Sequence, residues 1–123
     1  MEHAPGFLRL VEAARRRIRE TTCEEVARRL AAGERFHLLD VREDHEWQRG
    51  RIRGAAHLAK GIIERDIERT VPPLDADIVL YCGGGYRSAL AADALQQMGY
   101  RRVASMDGGW RRWCALGYAT ETD

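Results

Sequence analysis

The sequence has few cysteines, and no two of them stand in C-x-x-C spacing. The three cysteines, Cys23, Cys82 and Cys114, lie far apart along the chain. Isolated thiols of this kind argue against a disulfide framework and against a structural zinc site. We therefore predict an intracellular protein whose cysteines stay reduced and which binds no metal.

Long apolar runs are also absent. No uninterrupted stretch approaches the roughly 18 residues of a membrane span, and Arg9 follows the apolar pair Phe7 and Leu8 before a secretory signal can form. The arginine-rich start resembles a transit peptide only in part, since glutamates interrupt it and it lacks serine. We predict a cytoplasmic location.

The chain has no excess of charge of either sign. Twenty Lys and Arg residues oppose 19 Asp and Glu residues, and the formal net charge is +1. Because proteins that bind nucleic acid or a membrane surface usually carry a basic excess, we expect neither partner. With 123 residues and no internal repeat, the chain has the length of one domain.

Segments typical of strands alternate with segments typical of helices. Apolar runs predict strands at 37–41, 55–58, 78–81 and 103–106. Helical patterns lie at 22–32, 62–67, 88–98 and 110–117. A capping box of Thr22 and Glu25 opens the first of these helices. The alternation predicts an α/β fold with a central parallel β-sheet flanked by helices.

An extra amphipathic helix is predicted ahead of this pattern, after Pro5. Its apolar stripe has the spacing of a helix face that packs onto a domain and consists of Phe7, Leu8, Val11, Ala14 and Ile18. The run 15–17 of three arginines is interpreted as a solvated face of this helix. We treat residues 1–17 as an N-terminal helical extension and residues 18–123 as the main domain. The extension is either a decoration of the domain or a contact between two copies.

The segment 81–88 places a cysteine between a buried strand and a helix. The apolar run 78–81 suits a strand buried on both faces of a parallel sheet. Ser88 is the expected N-cap of the helix that follows, and Gly99 is its expected stop. Ligands of parallel sheets bind at this carboxyl end of the strands, so Cys82 is our candidate nucleophile.

The glycine turn after Cys82 can stabilise a thiolate. Glycine tolerates positive φ, so Gly83, Gly84 and Gly85 can direct their N–H groups at the sulfur. Making a cysteine mostly thiolate at neutral pH takes roughly 2.7 kcal/mol, more than the about 0.3–2 kcal/mol of a helix dipole. Two or three N–H donors at about 1.5–3 kcal/mol each, with Arg87 nearby, supply the remainder.

Other polar and aromatic residues have weaker claims to a role. Cys23 and Cys114 are interpreted as packing residues because each lies among apolar neighbours. His57 has no partner at a spacing that marks a general base, so we expect a structural histidine. Trp110 and Trp113 are expected in the core or in a pocket wall.

Asp40 and Arg42 lie where the strand 37–41 ends, so we expect them near Cys82. Asp40 is assigned to structural support of the loop that carries Cys82. For Arg42 two interpretations stay open: a surface ion pair with Glu46, worth about 0–1 kcal/mol, or an approach to the site.

Four segments together resemble the single-domain rhodaneses. Residues 82–88 are similar to the family's loop C-x-x-G-x-R-S, and residues 38–43 to its strand ending in D-V-R. Residues 46–57 are similar to its segment E-[WY]-x-x-G-H-I-P-G-A-x-H, and residues 107–113 to its closing G-G-W-x-x-W. The resemblance covers residue 18 to the C-terminus. Arg51 and Arg53 depart from it, since they replace the family's usual histidine and proline.

The resemblance implies a sulfurtransferase that carries sulfur as a persulfide on Cys82. Asp40 and Arg42 would support the substrate-binding residues, which would be Gly83, Gly84, Gly85, Tyr86, Arg87 and Ser88. The implied partners are a small-molecule sulfur donor, such as thiosulfate, or a protein persulfide, together with a thiol or cyanide acceptor. No cofactor is implied. Because Arg87 is the only cation of the loop, a persulfide is favoured over thiosulfate as the donor.

The length of the loop separates sulfur transfer from phosphate chemistry. Four residues lie between Cys82 and Arg87, as in rhodaneses, whereas the related phosphatases and arsenate reductases resemble C-x5-R. The shorter loop suits the terminal sulfur of a persulfide, and Tyr81 stands where those phosphatases usually have histidine. A regulatory or sulfur-carrier interaction module of the same fold is the alternative, and a cysteine-dependent phosphatase or arsenate reductase is the weakest reading.

Overall fold

Five parallel strands form the central sheet of the computed structural model, which describes residues 2–123. In chain order, the strands of both the central sheet and a second, smaller sheet are β1 (Arg19–Thr21), β2 (His37–Asp40), β3 (Arg51–Ile52), β4 (Ala56–His57), β5 (Asp77–Tyr81), β6 (Arg102–Met106) and β7 (Thr120–Glu121). The order in the sheet is β1-β6-β5-β2-β4, and β3 pairs separately with β7 in antiparallel fashion. The expected α/β fold with a central parallel sheet is confirmed.

Helices cover both faces of this sheet. They are α1 (Pro5–Arg15), α2 (Cys23–Ala31), α3 (Asp44–Arg49), α4 (Ile63–Thr70), α5 (Tyr86–Gln97) and α6 (Gly109–Ala115), with a 3-10 turn at Lys60–Ile62. Within residues 2–123, none of them is both long enough and apolar enough to cross a membrane.

The central strand β5 is buried on both faces, as its apolar sequence predicts. Alternate side chains enter different cores because successive residues of a strand point to opposite faces. Leu80 and Cys82 pack with the apolar residues of α4 and α5. Val79 and Tyr81 pack with those of α2 and α6. The cysteine therefore lies on the α5 side of the sheet.

Half of the expected capping box at α2 is present. Thr22 Oγ1 accepts the N–H of Glu25 at 3.0 Å, but the Glu25 carboxylate accepts from Arg28 instead of returning to Thr22. A reciprocal box forms at α3, where the side chain of Glu43 and that of Glu46 each accept the other's backbone N–H. The i,i+3 arginine of α2 competes successfully for its glutamate.

The N-terminal helix α1 packs against α5. Val11 and Ala14 are buried in this contact. Arg17, after the end of α1, donates two hydrogen bonds to the Asp93 carboxylate on α5, at 2.9 and 2.7 Å. Arg17 is still 56% exposed, in line with the solvated face expected of the arginine run. The boundary after residue 17 stays a prediction, and the first residue of that extension lies outside the described residues.

Removing the Asp93 carboxylate should loosen α1 without unfolding the domain. In Asp93→Ala, Arg17 loses both hydrogen bonds, so amide hydrogen exchange across residues 8–15 should become several-fold faster. The matched control, Asp66→Ala, removes the carboxylate that pairs with two arginines of α4 and should leave exchange in 8–15 unchanged. Equal exchange in Asp93→Ala and the unsubstituted protein would show that this ion pair does not anchor the helix.

Candidate active site

Cys82 lies directly after the central strand, at the carboxyl end of the sheet. Its neighbours there are the ends of β2 and β6, because Tyr81 pairs with Asp40 and Leu80 pairs with Ser105. The cysteine is 1% exposed, so the protein surrounds its sulfur on nearly every side. This is the edge at which open parallel sheets bind ligands.

The three glycines after Cys82 serve different purposes. Only Gly85 has a positive φ, at +95°, and it precedes the first residue of α5. Gly83 and Gly84 instead leave room for cations: a Cβ at Gly83 would lie 3.1 Å from Arg87 Nη2, and one at Gly84 would lie 3.2 Å from Arg111 Nη2. The prediction that all three bend the chain through positive φ is wrong for two of them.

The Cys82 sulfur accepts hydrogen bonds from the start of α5. The N–H groups of Gly85 and Ser88 point at Sγ, at 3.2 and 3.3 Å. Ser88 Oγ lies 3.5 Å from the same sulfur and shares a hydrogen bond of 2.8 Å with Ser105 Oγ. Two backbone donors and a hydroxyl thus surround one sulfur, and hydrogen bonds to a charged acceptor are worth about 1.5–3 kcal/mol each.

The expectation that Ser88 is the N-cap of this helix is wrong. Gly85 occupies the N-cap position and Ser88 is the third residue of α5, buried against β6. The N–H at that position normally bonds the side chain of the N-cap residue. Because glycine has no such side chain, the Cys82 sulfur takes its place.

The loop is also held from outside by α6. Its first turn donates to the loop carbonyls, from Trp110 N–H to Cys82 O at 2.8 Å and from Arg111 N–H to Gly83 O at 3.1 Å. Gly109 makes this approach possible, because a Cβ there would lie 2.4 Å from Cys82 O. The carbonyls of Cys82 and Gly83 therefore face α6.

Arg87 is engaged by an acidic residue. Its Nη1 and Nη2 donate to the two oxygens of Glu46 at 2.7 and 3.0 Å. This pairing lowers the pKa of Glu46 to about 2. The guanidinium therefore ties the loop to α3.

A cavity of about 450 Å³ opens beside Cys82. It is lined by two cations, one carboxylate, aromatic rings and the glycines of the loop, namely His3, Phe7, Glu46, Cys82, Gly83, Gly84, Tyr86, Arg87, Trp110 and Arg111. Arg87 is the single cation of the loop itself, and Arg111 adds a second cation to the cavity from α6. The lining roles of Arg111, Glu46, His3 and Phe7 were not predicted from the sequence.

Signals for some of these lining residues were present in the sequence. Arg111 and Glu46 each lie inside a segment similar to the rhodaneses, and Phe7 lies on the apolar stripe of the N-terminal helix. His3 precedes that helix and has no pattern that marks it.

Asp40 and Arg42 form a buried ion pair beside Tyr81, the residue that precedes Cys82. Their side chains are 0% and 3% exposed, with Arg42 Nη2 at 2.7 Å from Asp40 Oδ2. Arg42 also donates to Gly50 O at 2.6 Å. The expectation that Arg42 pairs with Glu46 at the surface is wrong, because Arg42 is buried against Asp40. The support of the 82–88 loop by Asp40 stays a prediction. The pair fixes the end of α3, and the ring of Trp110 covers the guanidinium at 4.8 Å.

Comparison with known proteins agrees with this architecture. A family model for the rhodanese-like domain matches residues 22–116. The chain belongs to the rhodanese-like domain family. A protein named sulfurtransferase from Allochromatium vinosum is 36% identical over 100 residues, which are 81% of this chain and 92% of that protein. The resemblance inferred from four segments is confirmed, and the general kind of reaction is supported by relatives that are named sulfurtransferases.

Solved structures show the same rhodanese fold. A protein of unknown function from Rhodopseudomonas palustris, described as a possible tyrosine phosphatase, is 30% identical with a TM-score of 0.86, and 98% of each chain is covered. A thiosulfate sulfurtransferase from Pseudomonas aeruginosa is 32% identical with a TM-score of 0.78. That match covers 86% of this chain but 20% of the larger enzyme.

The other two cysteines differ from Cys82 in their surroundings. Cys23 is fully buried and donates weakly to the carbonyls of Asp107 and Gly109. Burial raises the pKa of the Cys23 thiol to about 11, so it stays protonated at neutral pH. Cys114 is exposed, which makes its assignment as a packing residue wrong.

His57 has the structural surroundings expected of it. Its Nε2 lies 2.8 Å from Arg42 O, and its ring stacks on Trp47 at 4.9 Å between centroids. The second contact holds β4 against α3, and His57 is not among the residues that line the cavity.

Breaking the buried pair should destabilise the whole domain. Asp40→Ala leaves the Arg42 guanidinium buried without its carboxylate, and we expect a loss of about 3–5 kcal/mol in the free energy of unfolding. Urea denaturation at pH 7 measures it. The control Asp44→Ala, at a side chain 84% exposed, should change that free energy by less than about 0.5 kcal/mol. Equal values for the two variants would contradict a structural role for the pair.

The contribution of the Glu46 carboxylate to stability should disappear in acid. Arg87 lowers the pKa of Glu46 in the folded state to about 2, below the roughly 4.3 of an unfolded chain. The stabilisation is therefore fully present above about pH 4.3 and is lost as the pH falls through 2. The free-energy difference between Glu46→Gln and the unsubstituted protein should shrink over this range in urea titrations. An exposed control, Glu12→Gln, should show no such trend, and a constant difference for Glu46→Gln would contradict the prediction.

Proposed function

We propose that this rhodanese is a sulfurtransferase in which Cys82 carries the sulfur. The observation that supports it most directly is the sulfur of Cys82 held by the N–H groups of Gly85 and Ser88 beside an open cavity. Such donors stabilise a thiolate, which is the nucleophilic form of cysteine. The proposed donor is thiosulfate or a persulfide, and the acceptor is a thiol or cyanide.

The reaction proceeds as a double displacement. The Cys82 thiolate attacks the outer sulfur of thiosulfate, an S–S bond forms to the protein, the S–S bond of the donor breaks, and sulfite leaves with the bonding electron pair. The product is a Cys82 persulfide anion. Cyanide then attacks the outer sulfur, thiocyanate leaves, and the thiolate is regenerated. Atoms and charge balance in both steps, and no cofactor takes part.

Besides Arg87, whose terminal nitrogens are engaged by Glu46, a second cation lies where the anionic donor would be held. Arg87 lies across Gly83, with its charge matched by Glu46, while Arg111 reaches the other side of the loop at Gly84. The second cation supports the use of anionic donors, thiosulfate included. Since a free thiolate is required, a reducing compartment such as the cytoplasm suits the reaction.

A phosphatase would need a different use of the arginine. In a phosphate cradle the guanidinium grips the oxyanion in bidentate fashion, but here both terminal nitrogens of Arg87 are engaged by Glu46. The loop also keeps only four residues between Cys82 and Arg87. These observations favour sulfur as the cargo over phosphate or arsenate.

Incubation with thiosulfate should make the protein heavier by one sulfur atom, and cyanide should reverse the gain with release of thiocyanate. Cys82→Ser should show no gain in intact-mass spectrometry and should lose more than about 1000-fold in turnover. Cys23→Ser and Cys114→Ser are matched controls and should still load sulfur, because the Cys23 thiol is protonated in the core and the exposed Cys114 is not part of the cavity lining.

Three outcomes separate the alternatives. An unchanged mass gain and turnover in Cys82→Ser would overturn the assignment of the nucleophile. Loading of Cys82 without turnover to cyanide or thiols, together with transfer to a protein acceptor, would indicate a sulfur-carrier module. Hydrolysis of an aryl phosphate that disappears in Cys82→Ser would indicate a phosphatase.

A further inference from the structure

The N-terminal segment forms one wall of the cavity beside Cys82. His3 and Phe7 line it, although both lie before the start of the matched rhodanese-like region at residue 22. Their rings cluster with the ring of Tyr86, which follows the glycine turn. The centroids are 4.4 Å apart for His3 and Tyr86, 6.2 Å for Phe7 and Tyr86, and 5.3 Å for His3 and Phe7.

This wall is fixed in position by the rest of α1. Val11 and Ala14 are buried on the domain, so the helix cannot swing away as a free arm. Arg15 extends from its last turn over the Tyr86 ring, at 5.0 Å, and donates to Gly85 O at 3.4 Å. The N-terminal helix therefore contacts the loop of Cys82 at both ends of its inner face.

The chemistry of the cavity suits an organic anion. Its volume of about 450 Å³ lies within the roughly 300–1,000 Å³ of pockets that enclose organic ligands, and an ion as small as thiosulfate would fill only a fraction of it. Aromatic rings line it from α1, α5 and α6, in Phe7, Tyr86 and Trp110. Arg111 also lines it and makes no ion pair within the part of the chain that the structure describes.

We propose that His3 and Phe7 are specificity-determining residues for an organic sulfur donor, one whose transferable sulfur is carried on an anionic group next to a flat apolar group. The rings of the wall contact the apolar group, and Arg111 pairs with the anionic one. The inference rests on the proposed role of Cys82 as sulfur carrier. It gives the N-terminal extension a part in the substrate site, in place of the surface decoration or contact between copies considered from the sequence.

Benzenethiosulfonate is the probe, because it joins a planar ring to an anionic group that holds a transferable sulfur. The Cys82 thiolate attacks that outer sulfur, a new S–S bond forms, the S–S bond of the donor breaks, and benzenesulfinate leaves with the electron pair. Cyanide then removes the sulfur as thiocyanate. The steps match those for thiosulfate, so the two donors differ only in what the cavity must hold.

The experiment compares kcat/KM for benzenethiosulfonate and for thiosulfate, with cyanide as the acceptor, in the full chain. Phe7→Ala and His3→Ala should each lower kcat/KM for benzenethiosulfonate about 3- to 10-fold, mainly through KM, since each removes one aromatic contact. The loss for thiosulfate should be at least about threefold smaller. Leu10→Ala is the matched control: Leu10 lies on the outer face of the same helix, 62% exposed, and its loss should change neither rate.

The outcomes distinguish this inference from the proposed function. The deciding quantity is kcat/KM for benzenethiosulfonate divided by kcat/KM for thiosulfate. If this ratio is the same in Phe7→Ala, His3→Ala and the unsubstituted protein, the role of the wall is overturned while Cys82 remains the sulfur carrier. Absence of a Cys82 persulfide with either donor in the unsubstituted protein would overturn both. His3 lies before the first residue of α1, so His3→Ala leaves the helix sequence unchanged and still decides the question if a thermal melt shows that Phe7→Ala weakens the fold.

Discussion

The hydrogen bonds from the start of α5 to the Cys82 sulfur determine how the site is built. A helix leaves its first N–H groups without partners inside the helix, and here the sulfur accepts one of them, from Ser88, together with the N–H of Gly85. The group that stabilises the helix is thus the group proposed to react. Any shift of α5 relative to β5 would change the charge stabilisation of the sulfur and the capping of the helix together.

Much of the fold follows from the sequence, because the strands that form its centre are continuous apolar runs. β2, β4, β5 and β6 lie within one residue of their expected ends. β1 and the pair of β3 and β7 were not predicted, since they are short and partly polar and exist through pairing with distant segments. The local pattern of apolar residues predicts which segments are buried. It does not predict which strand a short polar segment such as β1 will pair with.

In the candidate site, too, contiguous residues could be predicted from the sequence, and contacts between distant residues could not. The cysteine, its glycine turn and Arg87 are contiguous, and their position after the strand could be predicted. The partners of the charged groups could not, because Glu46 was equally able to pair with Arg42 or with Arg87. Burial decided between them: Arg42 lies under Trp110 with Asp40, which leaves Glu46 for Arg87. Arg111 and Phe7 come from opposite ends of the chain, and only the packed fold brings both to one cavity.

Gly109 has a consequence for the dimensions of this cavity. At Gly109 the backbone of α6 contacts the backbone of Cys82 and Gly83 with no side chain between them. No change of side-chain rotamer can therefore alter the distance between these two segments. The distance from the sulfur to the helix that carries Trp110 and Arg111 is therefore set by main-chain atoms alone. Changes to the rings and cations around the cavity can alter what it accepts, while its depth above the sulfur stays constant. The absence of a Cβ at Gly109 thus fixes the backbone part of the site, while the side chains that line the cavity can vary.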